Sequence, residues 1–158
     1  MIRSRFNELC AYLQTQASTL KIRPEQIDTE IEDFTVGDGG HQQTVKGYWF
    51  ANFRYRGVLY VERLSLASLP VLAVLVKAWL DENDDVRYDF KLADPQIQAV
   101  ALDDKTLDVV VTVEFLDPVY LAPAADGKGN VNWNGKAWTV AEYAVNVAEA
   151  GTVNDAQV

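Results

Sequence analysis

The chain has one cysteine, Cys10, and one histidine, His41, so two common sources of site chemistry are almost missing. A single thiol closes no intrachain disulfide, and no metal-ligand spacing surrounds it. Cys10 reads as a small buried helix residue. His41 lies in a glycine-rich stretch with no Ser or Cys nucleophile motif near it, which leaves a catalytic triad without parts. Cations are scarce as well: 14 Lys and Arg against 23 Asp and Glu give a net charge of -9. Sequence-independent nucleic-acid binding needs a basic face that displaces counterions, and this balance argues against it. The longest apolar run, Leu69 to Leu80, is interrupted by Lys77 and falls short of the roughly 20 residues of a membrane span. No apolar run of signal-peptide type follows the N-terminal MIRSRFNELC. The expectation is a cytosolic protein with no membrane contact.

What is present suits an ordinary globular domain. At 158 residues and 49% hydrophobic, the chain is long enough and apolar enough for one sizeable core. Residues 2–20 have the period of an amphipathic helix, with Phe6, Leu9, Cys10, Leu13, Ala17 and Leu20 on one stripe. Pro24 starts a short turn. A strand is expected over 29–36, then a flexible loop at Gly37-Asp38-Gly39-Gly40, where glycine admits positive φ. Val45 to Tyr55 reads as a strand that Gly57 breaks, with Val58 to Leu64 as a further extended piece. Ser68 is a plausible N-cap for a second helix. That helix carries Leu72, Leu75, Val76, Trp79 and Leu80 on its main stripe, and Val71, Val74 and Ala78 on the opposite flank. A helix apolar on both flanks is buried on two sides.

Beyond the acidic break Asp81 to Asp85, three strands are predicted as an antiparallel meander: Val86 to Leu92, Ile97 to Leu102 and Leu107 to Phe115. Turns are expected at Asp103-Asp104-Lys105 and Asp117-Pro118. Asn134-Gly135 between Trp133 and Trp138 signals a tight hairpin. The fold class is therefore α+β, mainly an antiparallel sheet with helices packed on one face. Residues 1–121 are expected to form its core, 122–147 a hairpin or arm of the same domain, and 148–158 a fraying tail.

Few motifs carry chemistry. The carboxylates Asp81, Glu82, Asp84 and Asp85 are contiguous, and Arg87 stands where a calcium loop needs glycine, so a solvated turn is the better reading. Acids at a helix C-terminus oppose the macrodipole, so something other than helix stability favours charge there. Gly127-Lys128-Gly129 lacks Walker spacing. Trp133, Trp138 and Tyr143 suit a satellite core or protein interface better than a platform for sugar or single-stranded nucleic acid. No cofactor is implied.

The helix and the segment after it resemble the phage tail completion protein R family, the tail terminators of contractile phage tails and related particles. The resembling features are Leu69-Pro70-Val71-Leu72 leading to Ala78-Trp79-Leu80 with Glu82-Asn83, the strand containing Phe90, Leu107-Asp108-Val109, and Glu114. The resemblance covers residues 3 to 121 and is best from 69 to 116; the part from Ala122 departs most. It implies a non-enzymatic virion protein that forms a ring, usually six-fold, at the head-proximal end of the tail. Its partners would be further copies of itself, the tail tube and sheath proteins, and neck or head-completion proteins. DNA would pass through the ring without specific binding. Assembly would take place in the host cytoplasm. Candidate interface residues are Leu72, Val74, Ala78 and Trp79 on the helix, Asp38 and His41 in the Gly37–Thr44 loop, and Trp133 and Trp138 in the arm. Asp81, Glu82, Asp84 and Asp85 are candidates to face the lumen and repel DNA. The rival readings are another head–tail joining or neck protein, and a small binding module built on the hairpin at 131–138. An enzyme comes third.

Overall fold

A computed structural model describes residues 4–125 and 128–141. Tyr143 and the expected tail at 148–158 lie outside the described residues. The chain packs as two compact units, and strands β1 (Ile27–Asp38), β3 (Gly47–Ser65) and β5 (Thr106–Pro123) each run from one unit into the other.

The larger, helical unit takes residues 5–34 and 54–116. Its first helical segment is not one helix over 2–20 but two, α1 (Arg5–Thr15) and α2 (Ala17–Leu20), closed by Lys21 in the left-handed region. The predicted stripe of Phe6, Leu9, Cys10, Leu13, Ala17 and Leu20 is the buried one. After a turn at Pro24–Gln26 comes β1, longer than expected at both ends.

Gly57 does not break β3. It lies inside the strand, and a side chain there would overlap the Phe6 ring, so glycine lets α1 lie directly on the sheet. Further on, Arg63 adopts φ 52° while Glu62 and Arg63 both point outward. The extra outward residue turns Leu64 back into the core, as a bulge does.

Helix α3 (Leu69–Asn83) follows a 3₁₀ turn at Leu66–Ser68. Ser68 occupies the position before the helix, but its hydroxyl bonds to that of Ser65 rather than capping the helix. Leu72, Val76, Trp79 and Leu80 pack with the α1 stripe, with Tyr55, Leu59, Val61 and Leu64 of β3, and with alternate residues Leu107 to Phe115 of β5. Each large side chain buried in this way stabilises the fold by roughly 1.5–3 kcal/mol. The helices cover one face of the sheet, as an α+β chain requires.

The expected strand over Val86 to Leu92 is absent. Val86–Asp89 is a short helix, α4, and Tyr88 is exposed. Val86, Tyr88, Phe90 and Leu92 alternate with polar residues as a strand would, but Arg87 between them overrides that pattern. Its guanidinium is buried, 2.8 Å from Asp84 Oδ2, and donates to the carbonyls of Ala93 and Glu114. The i,i+3 spacing of Asp84 and Arg87 suits a helical turn, and the carbonyls of Ala93 and Glu114 fix it. The meander therefore reduces to one hairpin, β4 (Gln96–Ala101) antiparallel to β5. Its turn is held by Asp103, whose carboxylate accepts from the backbone N–H of Lys105 and of Thr106.

The smaller, aromatic unit takes, among the described residues, Ser4, 35–53, 117–125 and 128–141. Here β5 runs straight through Asp117-Pro118, where a turn was expected, and both residues are buried. It pairs with β7 (Lys136–Val140), which pairs with β6 (Val131–Trp133). Asn134 and Gly135, at φ 54° and 74°, make the predicted two-residue hairpin turn. The two-residue strand β2 (Gln43–Thr44) pairs with the start of β3, and Val45 lies in the intervening turn rather than in a strand. The sheet order is β1-β3-β5-β7-β6, with β2 also on β3 and β4 also on β5.

Candidate interaction surfaces

In the aromatic unit, residues distant in sequence form one ring cluster. Tyr48 and Phe50 alternate on β3, and Trp133 and Trp138 come from the hairpin. Trp133 lies 5.0 Å from Phe50, 5.3 Å from Tyr48 and 5.8 Å from Trp138, centroid to centroid. His41 completes the set, 6.3 Å from Trp133. Its Nδ1 is 3.2 Å from the Tyr48 hydroxyl and its Nε2 is 3.3 Å from Asp38 Oδ1. Asp38, His41, Trp133 and Trp138, four residues proposed from sequence as interface, therefore share one surface.

The Gly37–Thr44 segment is not the flexible loop expected. Gly37 and Asp38 belong to β1, and residues 39–42 stay bonded to β3. Gly39 N–H donates to Phe50 O, His41 N–H to Trp49 O, and Trp49 N–H to Gln42 O. Neither Gly39 nor Gly40 has positive φ. Glycine is needed instead for close approach, since a Gly39 side chain would stand 2.6 Å from the Trp49 ring and 2.7 Å from Ala51 N. The left-handed residue is His41, at φ 50°. Trp49 is in turn fixed by donating to Asn52, which donates to Asp38 O.

No ring of the cluster is fully buried, and His41 is exposed. Aromatic side chains that are packed on one side and open on the other supply contact area at low entropic cost. The rings contact one another, Trp133 standing at the centre of the set. Sequence reasoning placed Tyr48 and Phe50 in a strand over Val45 to Tyr55 but did not single them out as site residues. Three consecutive aromatics at 48–50 are a sign that both strand faces are used.

The second surface is the outer flank of α3. Val74 is 66% exposed, and Val71 and Ala78 are also exposed. Leu72 and Trp79 are not part of it: both are core residues, at 0% and 8% exposure. The helix is thus buried on one side within its own chain, and the other side is open.

The acidic turn divides similarly. Asp84 is fully buried between Arg87 and Arg5, whose Nε lies 3.6 Å from Oδ1, so Asp84 neither forms a solvated turn nor faces a lumen. Burial pushes its pKa up, against the pull of the two guanidinium groups. Asp81 accepts from Lys77 at 2.7 Å and from the Tyr88 hydroxyl at 2.9 Å, which hold its pKa down. These contacts, beyond the helix itself, account for acids at an unfavourable helix end. Glu82 and Asp85 are exposed.

Reactive chemistry has little to work with. Burial pushes the Cys10 thiol up to about 12, so it stays protonated and unreactive. Among the described residues, no group of three or more His, Cys, Asp or Glu is placed to hold a metal ion.

The sequence profile of the P2 phage tail completion protein R (GpR) family matches residues 4–142. The match takes in the hairpin, so the family likeness does not stop at residue 121. The chain is also 27% identical over 121 residues to an uncharacterized 19.2 kDa protein in the rep-hol intergenic region of Haemophilus phage HP1 (strain HP1c1). That alignment covers 75% of this chain and 72% of the phage protein. No solved structure matches.

Proposed function

Because the chain belongs to the P2 phage tail completion protein R family, and so is a structural component of a phage tail, we propose that it is the tail terminator subunit. In this reading several copies close into a ring, six-fold by the family resemblance, on the head-proximal end of the tail tube and sheath. The ring stops further addition of tube subunits and presents a docking face to the neck or head. The observation that carries this reading is the family match over both units together with the half-buried aromatic surface. The rings of Tyr48, Phe50, Trp133 and Trp138 are packed as anchors for a protein partner are. The outer flank of α3 supplies a second apolar contact. Asp81, Glu82 and Asp85 line the passage and repel the DNA that moves through it.

Purified protein added to growing tail tubes tests the reading. Tubes capped at one end by a ring, with growth arrested, are expected under the electron microscope. Uncapped tubes of unchanged length would refute a terminator role. Binding to neck components without binding to tubes would instead identify a head–tail joining protein. The aromatic hairpin as an independent glycan or nucleotide module is disfavoured because its rings are packed on one another.

A further inference from the structure

Two surfaces of the chain carry opposite charge. The first is the β6–β7 hairpin tip. Asn134, Gly135 and Lys136 are exposed there, Lys128 is exposed on the preceding arm, and the space beside the Gly135 Cα is open to 4 Å. Trp133 pairs in register with Lys136, so both side chains leave the same face of the hairpin.

The second is the sheet face of the helical unit that its helices leave uncovered. Asp28 and Glu30 of β1, Glu62 of β3 and Asp108 of β5 line a groove of about 500 Å³ across it, with Tyr60 and Val110. Other acids on this face already have cations: Arg56 pairs with Glu32 and Asp33, and Arg54 with Glu114. No described cation pairs with the four groove carboxylates. Glu30 accepts only the Tyr60 hydroxyl at 2.7 Å, and Asp108 the backbone N–H of Arg63 at 3.0 Å.

We infer that the hairpin tip of one copy docks in the carboxylate groove of the next, with Lys136 and Lys128 among the acids and Trp133 against Tyr60 and Val110. The occupant is a second copy because the chain itself carries both halves of the charge match, exposed lysines at the tip and carboxylates in the groove. Groove on groove sets carboxylate against carboxylate, and tip on tip sets lysine against lysine. A contact between two different surfaces is heterologous, and such contacts close into rings when the rotation permits. The inference rests on the ring assembly proposed above and names the surfaces that form it.

Light scattering after size exclusion, over a range of concentration and salt, tests it with charge-reversed chains. One variant is Lys128→Glu with Lys136→Glu; the other is Glu30→Lys with Glu62→Lys. Each alone is expected to self-associate about a hundredfold more weakly than the wild type. An equimolar mixture is expected to regain the wild-type mass, because reversed tips then meet reversed grooves and native tips meet native ones. Lys105→Glu, the same charge change on an exposed turn, leaves the mass unchanged. Thermal melts confirm that both variants fold. An oligomer unaffected by either reversal, or a mixture that stays dissociated, overturns the tip-to-groove contact while leaving tube capping intact. A wild-type chain that is monomeric at every concentration overturns it too, and tube capping then decides the tail role independently.

Discussion

The two units use the same three long strands and cover them differently. In the helical unit β5 alternates strictly, with Leu107, Val109, Val111, Val113 and Phe115 buried under helices α1 and α3. In the aromatic unit no α-helix is present among the described residues, and half-buried rings lie on the strands. Fully buried aliphatic and aromatic side chains fix a fold. Rings left partly open give up some of that stability and keep surface for a partner.

The largest test of this contrast is the core itself. Phe115→Ala removes a ring that is fully buried between Phe6 and Tyr55, 5.9 and 5.8 Å away. The expected loss is about 3–5 kcal/mol in urea unfolding. Phe50→Ala, in the half-buried cluster, is expected to lose less than half as much and to weaken partner binding instead. Equal losses at the two sites would dissolve the distinction between a stabilising core and a recognition surface.

A second test removes the buried ion pair. Arg87→Met leaves Asp84 with Arg5 alone, 3.6 Å away, and is expected to cost about 3–5 kcal/mol at neutral pH. The Asp84 pKa is already raised by burial, so the folded state binds a proton more readily than the unfolded chain does. Protonation then relieves the stranded charge, and the deficit should shrink as pH falls. Asp84→Leu combined with Arg87→Met should recover most of the loss. A deficit that grows in acid would show that Asp84 is not the stranded group.

That pair also marks the limit of what the sequence reveals. The stripes of α1 and α3, the alternation of β5 and the Asn134-Gly135 turn are local patterns, and each is legible because burial on one side repeats with the period of the element. The stretch from Val86 to Leu92 alternates just as clearly, yet Arg87 is drawn inward by Asp84 and by carbonyls of residues 93 and 114. The Asp84 spacing is local, but the Glu114 carbonyl is 27 residues away and no local pattern encodes it. Gly57 reads as a breaker for the same reason, since the ring that needs its missing side chain is Phe6, far off in sequence. At the surface site, Asp38, His41, Trp133 and Trp138 were legible as odd residues. Their meeting around Tyr48 and Phe50 was not, because it depends on strand pairing.

A third, smaller effect is expected at Gly39. Gly39→Ala drives a methyl group against Trp49 and the backbone of Phe50 and Ala51, costing about 1–3 kcal/mol. The aromatic unit should report this through tryptophan fluorescence, with little change in the far-UV helix signal. Loss of helical signal alongside fluorescence would mean that the aromatic unit is not a separate, more permissive region.

The smallest effect bounds how much the helical unit owes to charge on its open face. The Glu114 carboxylate accepts from Ala93 N–H at 2.8 Å and from Arg54 Nε at 3.1 Å, and these hold its pKa below the ordinary value of 4.5. A depressed folded-state pKa means that the unfolded chain takes up the proton first as pH falls. The stabilisation is therefore present above pH 4.5 and is lost as pH drops through the folded value. Glu114→Gln should cost about 0.5–1 kcal/mol at neutral pH, in the range of partly exposed ion pairs. The two stability curves should converge in acid, where the wild type has lost the same interaction. Curves that stay parallel down to low pH would assign the cost to packing, leaving the open face of the helical unit with no electrostatic share in its stability.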